Sequence, residues 1–230
     1  MVKKNVIGNS PNVEWKAILC VLILSYGFLL ANPSIGIDDE NFDFYFKYNG
    51  LVSSGRWGSW FIKILCDSYE YLPVWRDALA IGILVVAAWM YIRVVHLEQI
   101  EMIDKLATTS GMCLLISYPI ISKMFVYAAN NIETAETFLL ATLSWYFCEK
   151  YIISADVSNH IYRVKYLLAS IFFMSLGCGL IESCAVYFCI ELCISNVLRK
   201  ETWGIKKISK ALFILLVSII LSKIIGIGLT

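Results

Sequence analysis

Long apolar runs alternate with short polar turns along this chain. The runs cover Trp15 to Ile35, Arg76 to Val95, Leu106 to Ile121, Thr134 to Ile153, Tyr166 to Leu198 and Ala211 to Leu229. A helix that crosses a bilayer needs about 20 apolar residues. Tyr166–Leu198 is too long for one span and too short for two full ones. Gly177, Gly179 and Glu182 interrupt it, which predicts two short helices meeting near Glu182, in protein or in a water-lined cavity. A single strongly tilted helix is the alternative. Pro33 and Pro119 stand near the ends of the first and third runs, where the residue before a proline is pushed out of helical geometry. The pattern predicts about seven spans in all.

One stretch has a different period. From Arg56 to Leu72, the residues Trp57, Trp60, Phe61, Ile64 and Leu65 recur at helical spacing, with Ser59, Lys63, Asp67 and Glu70 largely elsewhere on the wheel. Such a stretch lies along a membrane surface rather than across it. Its tryptophans suit the headgroup boundary, and Pro73 ends it.

Composition turns the pattern into a class. The chain has 230 residues, of which 59% are hydrophobic and 16% charged, with a mean hydropathy of +0.71. Soluble domains are nearer half apolar and a quarter charged. The expected fold is therefore all-α, a polytopic transmembrane helical bundle with an interfacial amphipathic helix after the first span. The expected location is the cell membrane, multi-pass, with the lipid bilayer as a partner. A net charge of +1 argues against nucleic acid as a partner. The eight cysteines lie mostly inside apolar runs without a CxxC pair, so they read as small buried hydrophobes, with no metal site expected. The basic start Met1-Val2-Lys3-Lys4 leads into a long run without a convincing cleavage site, which reads as an uncleaved first span.

Lysines and arginines set the orientation. With a cytoplasmic N-terminus, Lys3, Lys4, Lys16, Arg93, Lys105, Lys150, Arg163, Lys165 and the basic turn Arg199–Lys210 share the cytoplasmic side. Only Lys47, Arg56, Lys63, Arg76, Lys123 and Lys223 fall outside. The same topology sends Asp38, Asp39, Glu40, Asp43, Glu133, Glu136 and Glu182 to the outer half.

Candidate chemistry gathers there. Asp38, Asp39 and Glu40 follow the first span directly. A carboxylate at the mouth of a membrane cavity can take a proton from an acceptor hydroxyl or bind a divalent cation, although the sequence requires no metal. Alternatively, Asp38 caps a short helix starting near Glu40 and the others are solvated. Arg56 can grip a phosphate with its planar fork, or anchor the chain at the lipid headgroups. Lys123 has the same pair of readings. Glu182, in an apolar run, is either a functional group by virtue of its cost in the membrane or a residue of the outer turn between two helices. Glu133 and Glu136 open the fourth span, where the helix dipole favours acids. Glu191 faces another helix or the cytoplasmic interface.

The order of these pieces resembles the GtrII-type glucosyltransferases, multi-span enzymes of the GT-C class. The matching residues are Ile37-Asp38-Asp39-Glu40, Gly55-Arg56-Trp57, the Ser117-Tyr118-Pro119 region and the break from Gly177 to Tyr187. The resemblance implies a GT-C-like fold and transfer of a glucosyl group from a polyprenyl-phosphate-linked sugar to a glycan acceptor on the outer face. It implies Asp38 or Asp39 as the general base, with Arg56 and Lys123 neutralising the leaving phosphate. Glu40, Trp57, Trp60 and Glu182 would contact substrate. Such enzymes continue through further spans, so residues 1–230 are expected to form one transmembrane domain, the amino-terminal part of a longer enzyme. The rival expectations are a non-catalytic truncated fragment, or a transporter or flippase with Glu182 as its proton or substrate group.

Overall fold

The computed structural model describes residues 12–31, 50–66, 73–95, 102–117, 131–153, 160–198 and 204–229. Every element among them is helical: α1 (Asn12–Ala31), α2 (Gly50–Ser53), α3 (Trp57–Cys66), α4 (Pro73–Val95), α5 (Met102–Ile116), α6 (Asn131–Ile153), α7 (His160–Leu180), α8 (Cys184–Leu198) and α9 (Ile205–Leu229). Among these residues, three stretches are long and apolar enough to cross a membrane: Asp77–Val94, Ile161–Leu180 and Ile205–Leu229. Trp15–Phe28 and Cys184–Asn196 are shorter apolar helices. Fewer helices therefore meet the length and composition of a span than the hydropathy pattern predicts.

The helix α6 explains part of that difference. It is 23 residues long but carries Glu133, Glu136, Glu149 and Lys150. Its polar groups point into the protein: Glu133, Thr137, Thr142, Ser144 and Glu149 are all buried, alongside Phe138, Ala141, Trp145 and Cys148. Helices α4, α7 and α8 pack around it. A helix covered by protein needs no apolar outer surface, so its sequence is more polar than its central position suggests.

Small residues and serines set the close approaches. Ser144 donates to Ser170 O and Ser170 donates to Ser144 O, both at 2.9 Å, tying α6 to α7. Ser175 donates to Ser218 O at 3.1 Å, tying α7 to α9. Side chains this small let helix backbones approach within lipid, where interhelical hydrogen bonds contribute ~0.6–2 kcal/mol each. Aromatic edges lock α6 to α8: Phe138 meets Tyr187 at 5.3 Å and Trp145 meets Phe188 at 5.5 Å between ring centroids. Tyr26 on α1 donates to Ile116 O at the end of α5.

The break near Glu182 is real and takes the two-helix form. α7 ends at Leu180 and α8 begins at Cys184. The first helix is longer than expected, because it starts at His160 and takes in Arg163 and Lys165. The two glycines do not make the break. Gly177 and Gly179 lie inside α7, and each marks a close approach. A β-carbon on Gly177 would collide with Cys184 Sγ, and one on Gly179 would meet the Trp57 indole at 2.5 Å.

Charge divides the bundle by its ends. Where α4 and α6 finish and α7 begins, Arg93 stacks on Trp89, Lys150 on Tyr146, Arg163 on Tyr151 and Lys165 on Tyr162. Lys206, Lys207 and Lys210 open α9. The α7–α8 turn, α3 and the last turns of α9 come together at the opposite end.

Candidate functional site

The residues Ser53-Ser54-Gly55-Arg56-Trp57-Gly58-Ser59 build a stop followed at once by a restart. Gly55 N–H donates to Val52 O at 2.9 Å and Arg56 N–H to Leu51 O at 2.7 Å. These are the paired bonds of a Schellman motif, with Gly55 at its left-handed position, φ 83°. Trp60 N–H then donates to Arg56 O at 3.2 Å and opens α3. The backbone of Arg56 is thus held from both sides.

The next three residues dock this unit. Gly58 meets the end of α7 so closely that a β-carbon there would lie 2.8 Å from the Gly179 carbonyl carbon. Ser59 Oγ donates to Leu180 O at 3.2 Å, satisfying one of the carbonyls that a helix end leaves orphaned. Trp57 inserts between α7 and α9. Its Nε1 donates to Ser222 Oγ at 3.1 Å, and the ring lies over Gly179 and beside Gly226.

That insertion positions the charges. Lys223, next to Ser222, donates to Glu182 Oε1 in an ion pair across the α7–α8 turn. The Lys223 ammonium lies 3.8 Å from where a Gly55 β-carbon would be. Glu182 stands in the turn, outside the spanning stretches. The hydrogen bond and charge of Lys223 hold its carboxyl below the usual carboxylate range, and Arg56 adds to this. Arg56, Glu182 and Lys223 therefore form one cluster of two cations and one carboxylate. The lysine is 57% exposed and the glutamate 79%. Pairs this exposed contribute only ~0–1 kcal/mol to stability, so stability alone gives little reason for the pair.

The cluster agrees with the sequence in part. Arg56 and Glu182 lie at the same end of the bundle. Glu182 occupies the turn between α7 and α8 and is exposed, the turn position being one of the two readings its sequence context allows. Trp57 is expected at a sugar- or lipid-facing surface, but is 9% exposed and wedged in protein. Trp60 is half-buried, while Phe61 and Ile64 are exposed, so the packed edge of α3 is Trp57-Gly58-Ser59. Asp38, Asp39, Glu40 and Lys123 lie outside the described residues, as do the Ser117-Tyr118-Pro119 region beyond Ser117 and the stretch 67–72. Sequence reasoning missed Lys223. A lone cation in the apolar run Ala211–Leu229 was the signal that marked it.

A second polar centre lies within the bundle. Glu191 on α8 is fully buried, and its Oε1 is 2.5 Å from Thr142 Oγ1 on α6. Tyr91 on α4 donates to Glu191 O at 3.1 Å. The expectation that Glu191 faces another helix is met, against two helices. Among the described residues no group of three or more His, Cys, Asp or Glu side chains has the arrangement of a metal site.

Apolar helices long enough to cross a bilayer, with two cations and a carboxylate gathered at one end, define an α-helical membrane protein with a polar surface site. The sequence profile described as Glucosyl transferase GtrII matches residues 27–229, from the last turn of α1 to the end of α9. The chain belongs to this glucosyl transferase family. Neither curated proteins nor solved structures give a match.

Proposed function

We propose that the protein is a multi-pass membrane glucosyltransferase of GT-C-like organisation. It moves a glucosyl group from a polyprenyl-phosphate donor to a glycan or lipid-linked acceptor on the outer face. The acceptor hydroxyl oxygen bonds to the anomeric carbon and gives its proton to Asp38 or Asp39. The bond from that carbon to the phosphate oxygen breaks, and its electron pair leaves on polyprenyl phosphate. Fixed cations act where charge develops, a role that falls to Arg56 and to Lys123. Glu40 and Trp60 contact substrate. Trp57 serves the site by fixing the backbone of Arg56, and Glu182 serves it through the charge cluster.

The observation that carries this reading is the family match, joined to an arginine whose backbone is locked at the charged end of an apolar bundle. The many cations at the other end favour a cytoplasmic placement there, which puts Arg56 and Glu182 outside. Glycan mass analysis with and without the gene tests the class: a hexose increment should vanish on deletion. The Asp38→Asn, Asp39→Asn double variant should lose that increment while its expression holds. Normal modification by the double variant would sink the assignment of the base.

A further inference from the structure

Lys223 lies about 9 Å along the helix from Leu229, where α9 ends. Ile220, Ile224 and Ile227 share its face, and all three are exposed, Ile227 by 75%. The face is the one that α9 turns away from protein, and Lys223 is the cation upon it. In a bilayer, a lysine there reaches for the headgroup layer. In this structure it finds the Glu182 carboxylate instead, with Gly55, the chain neighbour of Arg56, beside the ammonium. Among the described residues the cluster holds two cations to one carboxylate, beside an apolar strip. Soluble anions have no use for such a strip. An anion carrying a hydrocarbon chain fits both parts.

We propose that Lys223 binds the phosphate of a lipid-linked phosphate, which displaces Glu182 and is held between Lys223 and Arg56 with its hydrocarbon chain along Ile220, Ile224 and Ile227. This deepens, and rests on, the glucosyltransferase reading. A sugar phosphodiester carries one negative charge, and the phosphate that leaves gains a second. Two cations freed of Glu182 match that leaving group. When Glu182 re-forms its bond to Lys223, it competes with the product and favours its release. Glu182 is thus a counter-ion that yields to substrate, and Lys223 a binding residue.

The test compares the two partners of the pair. Full-length protein in lipid nanodiscs is titrated with polyprenyl monophosphate, with polyprenol and inorganic phosphate as comparison arms. Lys223→Met should weaken binding of the lipid phosphate about tenfold or more, the loss expected for a charge-assisted hydrogen bond. Lys223→Arg should restore most of it, and Glu182→Gln should tighten binding. An ion pair that is only a structural clasp would respond the same way to loss of either partner, and that result would overturn the proposal. So would binding of inorganic phosphate or polyprenol as tight as that of the lipid phosphate. If Lys223→Met does not fold, Glu182→Gln decides alone, because weaker or unchanged binding contradicts displacement. Opposite shifts together with an unchanged glycan mass on gene deletion would leave this site standing and defeat the glucosyltransferase reading. Parallel shifts with a lost hexose increment would do the reverse.

Discussion

Thr142 shows how much a single buried hydroxyl constrains. Its Oγ1 is 3.0 Å from Phe138 O and 2.5 Å from Glu191 Oε1. The one hydroxyl proton is shared between the two acceptors, which ties α6 to α8 through the Glu191 side chain. Glu191→Gln keeps an acceptor oxygen for the same hydroxyl, so unfolding in mixed micelles should change by less than about 1 kcal/mol. Glu191→Ala loses the interhelical bond and leaves space, and should cost about 1–3 kcal/mol. Gly179 makes a second residue-scale test. Gly179→Ala drives a methyl into a rigid indole, with an overpacking cost of about 1–3 kcal/mol, and should lower transfer by displacing α3 and Arg56. Gly82→Ala, with nothing within 4 Å of its new methyl, should be neutral or stabilising by up to about 1 kcal/mol.

At the scale of elements, helices meet where their facing positions are small and can hydrogen bond. The reciprocal serine pair of α6 and α7 is the clearest seam. Ser170→Leu places a branched side chain where two backbones approach, and should cost more stability than Ser170→Ala, which loses only the hydrogen bonds. Thermal unfolding in detergent, followed by circular dichroism, orders the two. The sequence showed these helices by their apolar runs, and showed the α7–α8 break by the acid within one. It misattributed the break to glycines, because a glycine in an apolar run looks the same whether it ends a helix or admits a neighbour. Gly177 and Gly179 admit neighbours. Glu133 and Glu136 of α6 were legible as acids opening a span, but the place of α6 at the centre of the bundle was not.

The whole molecule is a bundle with a basic end and an end holding Arg56, Glu182 and Lys223. If the basic end is cytoplasmic, a cysteine introduced at exposed Ser54, in a chain with its native cysteines changed to serine, should react with a membrane-impermeant thiol reagent on intact cells. A cysteine at Gly204, beside the basic start of α9, should react only after the membrane is opened. Labelling with the reverse pattern would invert the bundle and place the Arg56 cluster in the cytoplasm.

The sequence by itself determined the membrane class, the helical elements, the amphipathic α3 and the family, because hydropathy and short motifs are local properties of neighbouring residues. It also singled out Arg56 and Glu182 by their charge in apolar surroundings. Only the tertiary structure decided what they do to each other. Glu182 finds Lys223 across 41 positions and Trp57 finds Ser222 across 165, pairings that no local period encodes. Whether an acid in an apolar run is buried, as Glu191 is, or exposed and paired, as Glu182 is, depends on which helices close around it. That packing gave Trp57 the work of a wedge and made Lys223 part of the site.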